Sequence, residues 1–215
     1  MVYLKWAFWL TFWAVVAIFF HYTLPQHDTV RIVNTYEERQ DLTDWTRIFW
    51  SEPEDQSTSL ANRDVQFIQA VRPNGRAIVY RNEDTGWRWP PYFKFDTANL
   101  YTEANDAVST KANPEWYVVK HYGWRNEFLT IFPNAISVKP APGPDYSPIP
   151  WLNIIILTIF FALVWAIWVR WRRFRARRID PMFDEFEDSW DAAGDAINDR
   201  RSRLRRWRDS WRSKP

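Results

Sequence analysis

Few side chains in this sequence could do chemistry, and their spacing argues against most of it. The histidines are His21, His27 and His121. A structural or catalytic metal site draws several His, Cys or carboxylate ligands from short, defined spacings, and these three form no such cluster. Glu83-Asp84, inside Tyr80-Arg81-Asn82-Glu83-Asp84-Thr85-Gly86-Trp87, could do acid–base work if a cleft raised one carboxyl. Neighbouring carboxylates ahead of Thr-Gly more commonly mark a solvated turn, and that reading is preferred. Arg125-Asn126-Glu127, after Gly123-Trp124, is a similar polar run, for which structural hydrogen bonding is the simpler role. The five glycines stand at 75, 86, 123, 143 and 194, so no phosphate-cradling loop occurs. Neither does a Gly-x-Ser-x-Gly nucleophile elbow. Cysteine is absent, which excludes a thiol nucleophile, a thiolate metal site and a disulfide scaffold. We therefore expect no enzyme, no metal and no cofactor.

The elements that would position such residues are dominated by two uncharged stretches. No charge lies between Lys5 and Asp28, and Tyr3 to Leu24 covers the ~20 residues that a bilayer core requires. Phe19-Phe20-His21-Tyr22 offers none of the small residues of a signal-peptidase site, so residues 1–24 read as an uncleaved signal anchor. The second stretch, Ile149 to Val169, has only Asn153 and Thr158 as polar side chains. It is apolar all round, as a membrane span is and a core helix is not. Arg170, Arg172, Arg173, Arg175, Arg177 and Arg178 follow directly. Positive charge resists translocation, so this flank is expected in the cytoplasm together with the amino end. Residues 25–148 then lie outside, in the periplasm of a Gram-negative host. The formal net charge of +2 conceals this partition, with −4 over residues 25–148 and +5 over residues 170–215.

The external segment reads as a small α+β domain, mostly β, over residues 25–139, or a partly open barrel. Strands are predicted at Thr29–Tyr36, Asp64–Val71, Ala77–Tyr80, Trp116–Tyr122, Phe128–Phe132 and Asn134–Val138. Val65, Phe67, Gln69 and Val71 share one face of their strand, and Gln66, Ile68 and Ala70 the other. Arg72-Pro73-Asn74-Gly75 predicts a hairpin, Asn-Gly supplying positive φ. Asp96 to Ser109 reads as a helix capped by Asp96, with Leu100, Ala104, Ala107 and Val108 on one face. Pro53–Asn62 reads as a loop. The linker 140–148, in a stretch with five prolines from Pro140 to Pro150, reads as a stiff extended spacer. Trp45, Trp50, Trp87, Trp89, Trp116 and Trp124 belong to the domain, where core packing and lipid headgroups account for them as well as sugar stacking does.

Membrane or partner contact is expected at Trp6, Trp9 and Trp13 on one face of the first span, and at Phe161, Trp165 and Trp168 on the second (149–169). Trp6, Trp168 and Trp171 suit an aromatic belt, whereas Trp13 and Trp165 lie deeper and suit helix packing, a partner helix or a flat apolar cofactor. No ionisable residue interrupts either span, which argues against a transporter. In the segment 170–215, Trp190, Ile197, Leu204, Trp207 and Trp211 belong to a stripe that also holds Phe183, Phe186 and Ala193, with spacings of three and four broken only at Arg200. That stripe predicts an amphipathic helix for an anionic inner leaflet or for self-association into a homo-oligomer. The membrane explains the arginines without nucleic acid.

Four strings carry a resemblance: His21-Tyr22-Thr23-Leu24-Pro25-Gln26-His27-Asp28, Tyr80 to Trp87, Trp89-Pro90-Pro91-Tyr92-Phe93-Lys94-Phe95-Asp96, and His121-Tyr122-Gly123-Trp124-Arg125-Asn126-Glu127-Phe128. They resemble an alphaproteobacterial inner-membrane family known only as a domain of unknown function, the one numbered fifteen twenty-three. The resemblance covers nearly the whole chain. It implies an inner-membrane protein and brings no catalytic residues. The expectation is a non-enzymatic accessory or stabilising subunit that binds other membrane proteins. The alternative is a periplasmic binding or sensing module for cell-wall or lipid ligands, signalling through its tail.

Overall fold

Between Val2 and Thr23 the chain has neither glycine nor proline, and its backbone satisfies itself as one helix, α1 (Val2–Thr23). Pro25 ends it: the residue before a proline is pushed out of helical conformation, and Leu24 N–H makes the last bond, to the Phe20 carbonyl at 2.8 Å. In this computed structural model, which describes residues 2–41, 50, 62–87, 89–181 and 200–206, α1 leads straight into a barrel. The strands are β1 (Gln26–Asp41), β2 (Asn62–Val71), β3 (Ala77–Asn82), β4 (Tyr117–Tyr122) and β5 (Asn134–Pro140), with α2 (Thr97–Asp106) between β3 and β4. The last long helix is α3 (Trp151–Phe174), followed by a wide π-helical stretch, Arg175–Ile179.

The strands close in the order β1-β2-β3-β5-β4. All neighbours are antiparallel except β3 and β5. This order, with the helix after β3, is that of the five-stranded Greek-key barrel of oligonucleotide- and oligosaccharide-binding domains. β1 is longer than its β-branched core, Thr29–Tyr36, suggested, because it serves two partners. Gln26–Val30 pairs with β4, Arg31–Asp41 pairs with β2, and an irregularity between Ile32 and Asn34 lets the strand bend from one to the other.

The β2–β3 hairpin forms where predicted. Gly75 N–H bonds the Arg72 carbonyl at 2.9 Å, and Arg72 N–H bonds Arg76. Within this turn Gly75, at φ 80°, alone has positive φ, so Asn74 does not share that burden as expected. Val30, Ile32, Ile68, Ala70, Ile78, Tyr80, Val119 and Ala135 fill the interior, and α2 closes it with Leu100, Ala104 and Ala107. Asp96 caps α2, its carboxylate accepting from Asn99 N–H at 3.0 Å. Val108 departs from the predicted face: it lies past the helix end, pairs with Ile32 and is exposed. A second cluster, Trp50, Val65, Phe67 and Phe132, covers the other face of β2.

Two further expectations are corrected. Phe128–Phe132 is not a strand but a tight loop closed by a bridge between Asn126 and Ile131, with Thr130 at φ 51° and Phe128 fully exposed. The chain must reverse there between β4 and β5, and that geometry overrides the β-propensity of the segment. Nor does the proline-rich stretch stand off as a spacer. Ala141 N–H bonds the Trp116 carbonyl, Thr29 Oγ1 donates to the Tyr146 carbonyl, and in the first turn of α3 the Asn153 amide donates to the Pro25 carbonyl at 2.9 Å. The predicted loop at Pro53–Asn62 lies, up to the start of β2, outside the described residues.

Candidate functional site

Asp28, Arg81, Glu83, Lys94 and His121, drawn from the four strings, lie buried or half-buried at the end of the barrel that α1 enters. Charged and amide side chains are buried there on both faces of the sheet, Lys94 against Asn82 and Ala135 and Arg81 on the side of Phe67 and Trp50. A buried polar group must be hydrogen-bonded or it destabilises the fold, so each is tied to specific partners.

Asp28, at the start of β1, receives Arg72 NH2 at 2.8 Å, the Tyr80 hydroxyl at 2.7 Å and His121 Nε2 at 3.1 Å. Burial raises its carboxyl, but these three donors outweigh burial and hold it well below the usual carboxylate range. The same surroundings act on Tyr80 in the opposite sense: burial, then the Asp28 charge, push its hydroxyl well up.

Arg81 is 2% exposed and pairs with Glu83, 7% exposed, at 3.0 Å. Its guanidinium lies over the Trp50 ring, 5.3 Å from the centroid. Burial lowers its pKa, an effect opposed by the hydroxyls of Tyr122 and Tyr22. Asn134, fully buried, holds the Glu83 backbone from both sides: its Oδ1 accepts from Glu83 N–H and its Nδ2 donates to the Glu83 carbonyl, each at 2.9 Å. Nδ2 also reaches the Tyr122 hydroxyl at 3.2 Å.

Lys94 points inward from the β3–α2 connection. Its ammonium donates to Asn82 Oδ1 and, at 2.9 Å, to the Ala135 carbonyl. Burial brings its pKa down to about 7, with Asp84 the main opposing charge.

The end of α1 is fastened to this network. The Tyr92 hydroxyl donates to the Thr23 carbonyl, and the Tyr92 ring stacks on Tyr122 at 5.0 Å. Trp124 Nε1 donates to His21 Nδ1 at 2.8 Å, and Tyr22 sits edge-on to Trp124 at 5.1 Å. Gly123 N–H bonds the Tyr22 carbonyl at 3.0 Å, and its φ of 87° is one that glycine adopts freely. Phe19 stacks on Trp89 at 5.6 Å.

This arrangement clamps the end of α1 to the barrel. Glu83, read from the sequence as part of a solvated turn, is instead buried against Arg81, because Asn134 draws its backbone inward; Asp84 is exposed, as that reading had it. His121 binds Asp28, and among the described residues no group of three His or carboxylate side chains could hold a metal. Arg125 does have the structural role expected, donating to the Ile131 carbonyl at 3.1 Å.

The side chains singled out on the helices stand elsewhere. Trp6, Trp9, Trp13, Phe161, Trp165 and Trp168 are all exposed on their own helices, Trp165 and Trp168 with rings 5.2 Å apart. Arg170, Arg172, Arg173, Arg175, Arg177 and Arg178 are exposed at the end of α3 and along the π-helical stretch. Arg172 lies over the Trp168 ring, and Arg175 pairs with Asp180 at 3.2 Å. Leu204 is exposed on a helical segment, residues 200–206. Trp190, Ile197, Trp207 and Trp211 lie outside the described residues.

Sequence reasoning missed Asp28, Arg81, Lys94 and Asn134 as a unit. The available signal was that three of the four lie in the strings that carried the resemblance, where polar residues alternate with tyrosine and tryptophan.

The class defined by this geometry is a Greek-key barrel fused to a helix, in a chain whose described residues include two helices, Val2–Thr23 and Trp151–Ile179, long and apolar enough to cross a membrane. Comparison with known proteins places it further. The chain belongs to the family described as protein of unknown function DUF1523, which matches residues 1–175 and so ends at the close of α3. It is similar to an uncharacterized protein of Haemophilus influenzae, 32% identical over 163 residues that cover 72% of this chain and 88% of that protein. No solved structure matches.

Proposed function

We propose that this protein is a non-enzymatic, two-span protein of the bacterial inner membrane that serves as an accessory or stabilising subunit of a larger membrane complex. In this reading α1 and α3 cross the bilayer, both ends of the chain are cytoplasmic, and residues 25–148 are periplasmic. The arginines from Arg170 to Arg178 support the orientation. The observation that carries the functional reading is the clamp. His21, Tyr22 and Thr23 of α1 are hydrogen-bonded into the barrel, so the apolar helix and the barrel move as one piece. Such a piece can hold a partner in register on both sides of the membrane surface, while Trp6, Trp9 and Trp13 remain exposed for a neighbouring helix.

The test is purification of a tagged full-length chain, expressed at its native level, in a mild detergent, with mass spectrometry of what accompanies it. A defined membrane complex is the expected result, lost when Trp9→Leu and Trp13→Leu are combined. Recovery of the bare protein alone overturns the accessory reading. Alkaline phosphatase fused after Asp84 should be active and a fluorescent protein fused after Pro215 should glow; the opposite pair reverses the orientation.

The second reading, a periplasmic binding module for cell-wall or lipid ligands, is favoured by the barrel topology, whose architecture hosts oligosaccharide sites elsewhere. Saturable binding of muropeptides to the full chain in detergent would favour it over the first.

A further inference from the structure

The connection from β3 to α2 is built inside out. In most exposed segments polar side chains face water and apolar ones face the protein. Here the alternation is reversed: Tyr92 and Lys94 point inward, whereas Phe93 and Phe95, each 53% exposed, point outward. Trp87, at 76%, and Trp89, at 65%, join them. Three of the outward rings form a group, with Trp87 5.3 Å from Phe93 and 5.8 Å from Phe95, while Trp89 turns to Phe19 of α1.

The segment is also locked in that state. Thr85 and Gly86 N–H both bond the Lys94 carbonyl, and Lys94 N–H bonds Thr85 Oγ1. Phe93 sits at φ 52°, a left-handed conformation that an aromatic residue rarely adopts. That backbone sends Phe93 out while its neighbours stay in.

We infer that Trp87, Trp89, Phe93 and Phe95 form a membrane-interface anchor, lying at the boundary between headgroups and acyl chains beside the outer end of α1. The occupant is lipid because the patch is continuous with the apolar helix. Trp89 stacks on Phe19, and Tyr92 is bonded to the Thr23 carbonyl, both in the last turns of α1. Phe19 and Thr23 are about 6 Å apart along the axis at ~1.5 Å per residue, so the rings stand at the level where α1 leaves its apolar run. Tryptophan is favoured at that depth, where its ring has one apolar and one hydrated end. The anchor would fix the orientation of the barrel against the bilayer. This inference rests on α1 crossing the membrane.

The absence of native cysteine makes the test direct. Single substitutions Trp87→Cys, Phe93→Cys and Phe95→Cys carry a nitroxide label in the full chain, reconstituted in phosphatidylcholine–phosphatidylglycerol vesicles. Lys111→Cys, at an exposed position after α2, and Val15→Cys, in α1, serve as references. Near-UV circular dichroism matching the parent confirms folding of each. Collision with a water-soluble nickel chelate should be severalfold lower at 87, 93 and 95 than at 111, and collision with oxygen higher. Nickel access at 93 and 95 equal to that at 111, with position 15 shielded, overturns the anchor and leaves the span intact. Nickel access at 15 overturns the span as well. Shielding of 93 and 95 from both nickel and oxygen means that protein, not lipid, covers the patch, and overturns the inference.

Discussion

The barrel has two interiors. In its middle, Val30, Ile32, Ile68, Ala70, Ile78 and Val119 pack as aliphatic side chains. At the α1 end, Asp28, Arg81, Glu83, Lys94 and Asn134 are held instead through hydrogen bonds and ion pairs, Arg81 on the face of β3 that it shares with Phe67 and Trp50. Both are buried but for Asp28, which is half-buried, and they obey different rules. An aliphatic core asks for the right volume and tolerates neighbouring shapes. A polar one asks for particular partners at particular distances, and removal of one strands the other. The polar interior lies where a helix is joined to the barrel, the place where a fixed geometry matters most.

Four changes probe that contrast, each measured as denaturant unfolding of the detergent-solubilised chain followed by near-UV circular dichroism. Arg81→Met leaves Glu83 buried without its guanidinium and should cost about 4 kcal/mol. Adding Glu83→Gln should recover much of that loss; an equal loss in the double variant would mean that the ion pair is not what Arg81 supplies. Asn134→Leu, close in volume, should cost about 3 kcal/mol, because the Glu83 N–H and carbonyl both lose their partner. A neutral result would erase the distinction between the two interiors.

The third change is in pH. Burial lowers Lys94 to about 7 in the folded chain, below its ordinary value near 10.5. Between those values the unfolded chain binds a proton that the folded chain does not, so stability rises with pH in that window and is flat below it. From pH 7 to 9.5 the gain should be about 3 kcal/mol and should vanish in Lys94→Met. Above about pH 10 the trend reverses, since burial also raises Tyr80 and Tyr92, and the unfolded chain then ionises first. The smallest effect belongs to the aliphatic interior: Ile68→Val should cost about 1 kcal/mol and leave the pH profile unchanged.

Local rules account for much of the chain. The uncharged runs of α1 and α3, the Asp96 cap, the β2–β3 hairpin and the faces of β2 all follow from periods and turn residues spanning a few positions. So does the family, since its four strings are visible as letters. Glu83 and Phe128 were misread for the same reason that these succeeded. A polar pair before Thr-Gly looks like a turn and an aromatic run looks like a strand when only neighbours are considered.

The residue types therefore settled which helices are apolar, where the hairpin turns and which kin the chain has. Closure of the barrel and the polar clamp were settled in three dimensions. Asn134 meets Glu83 across 51 positions and Asp28 meets His121 across 93. Whether an arginine, lysine or asparagine in a strand faces water or a buried partner depends on which strand lies opposite. That pairing is a property of the closed sheet, and no period within one segment encodes it.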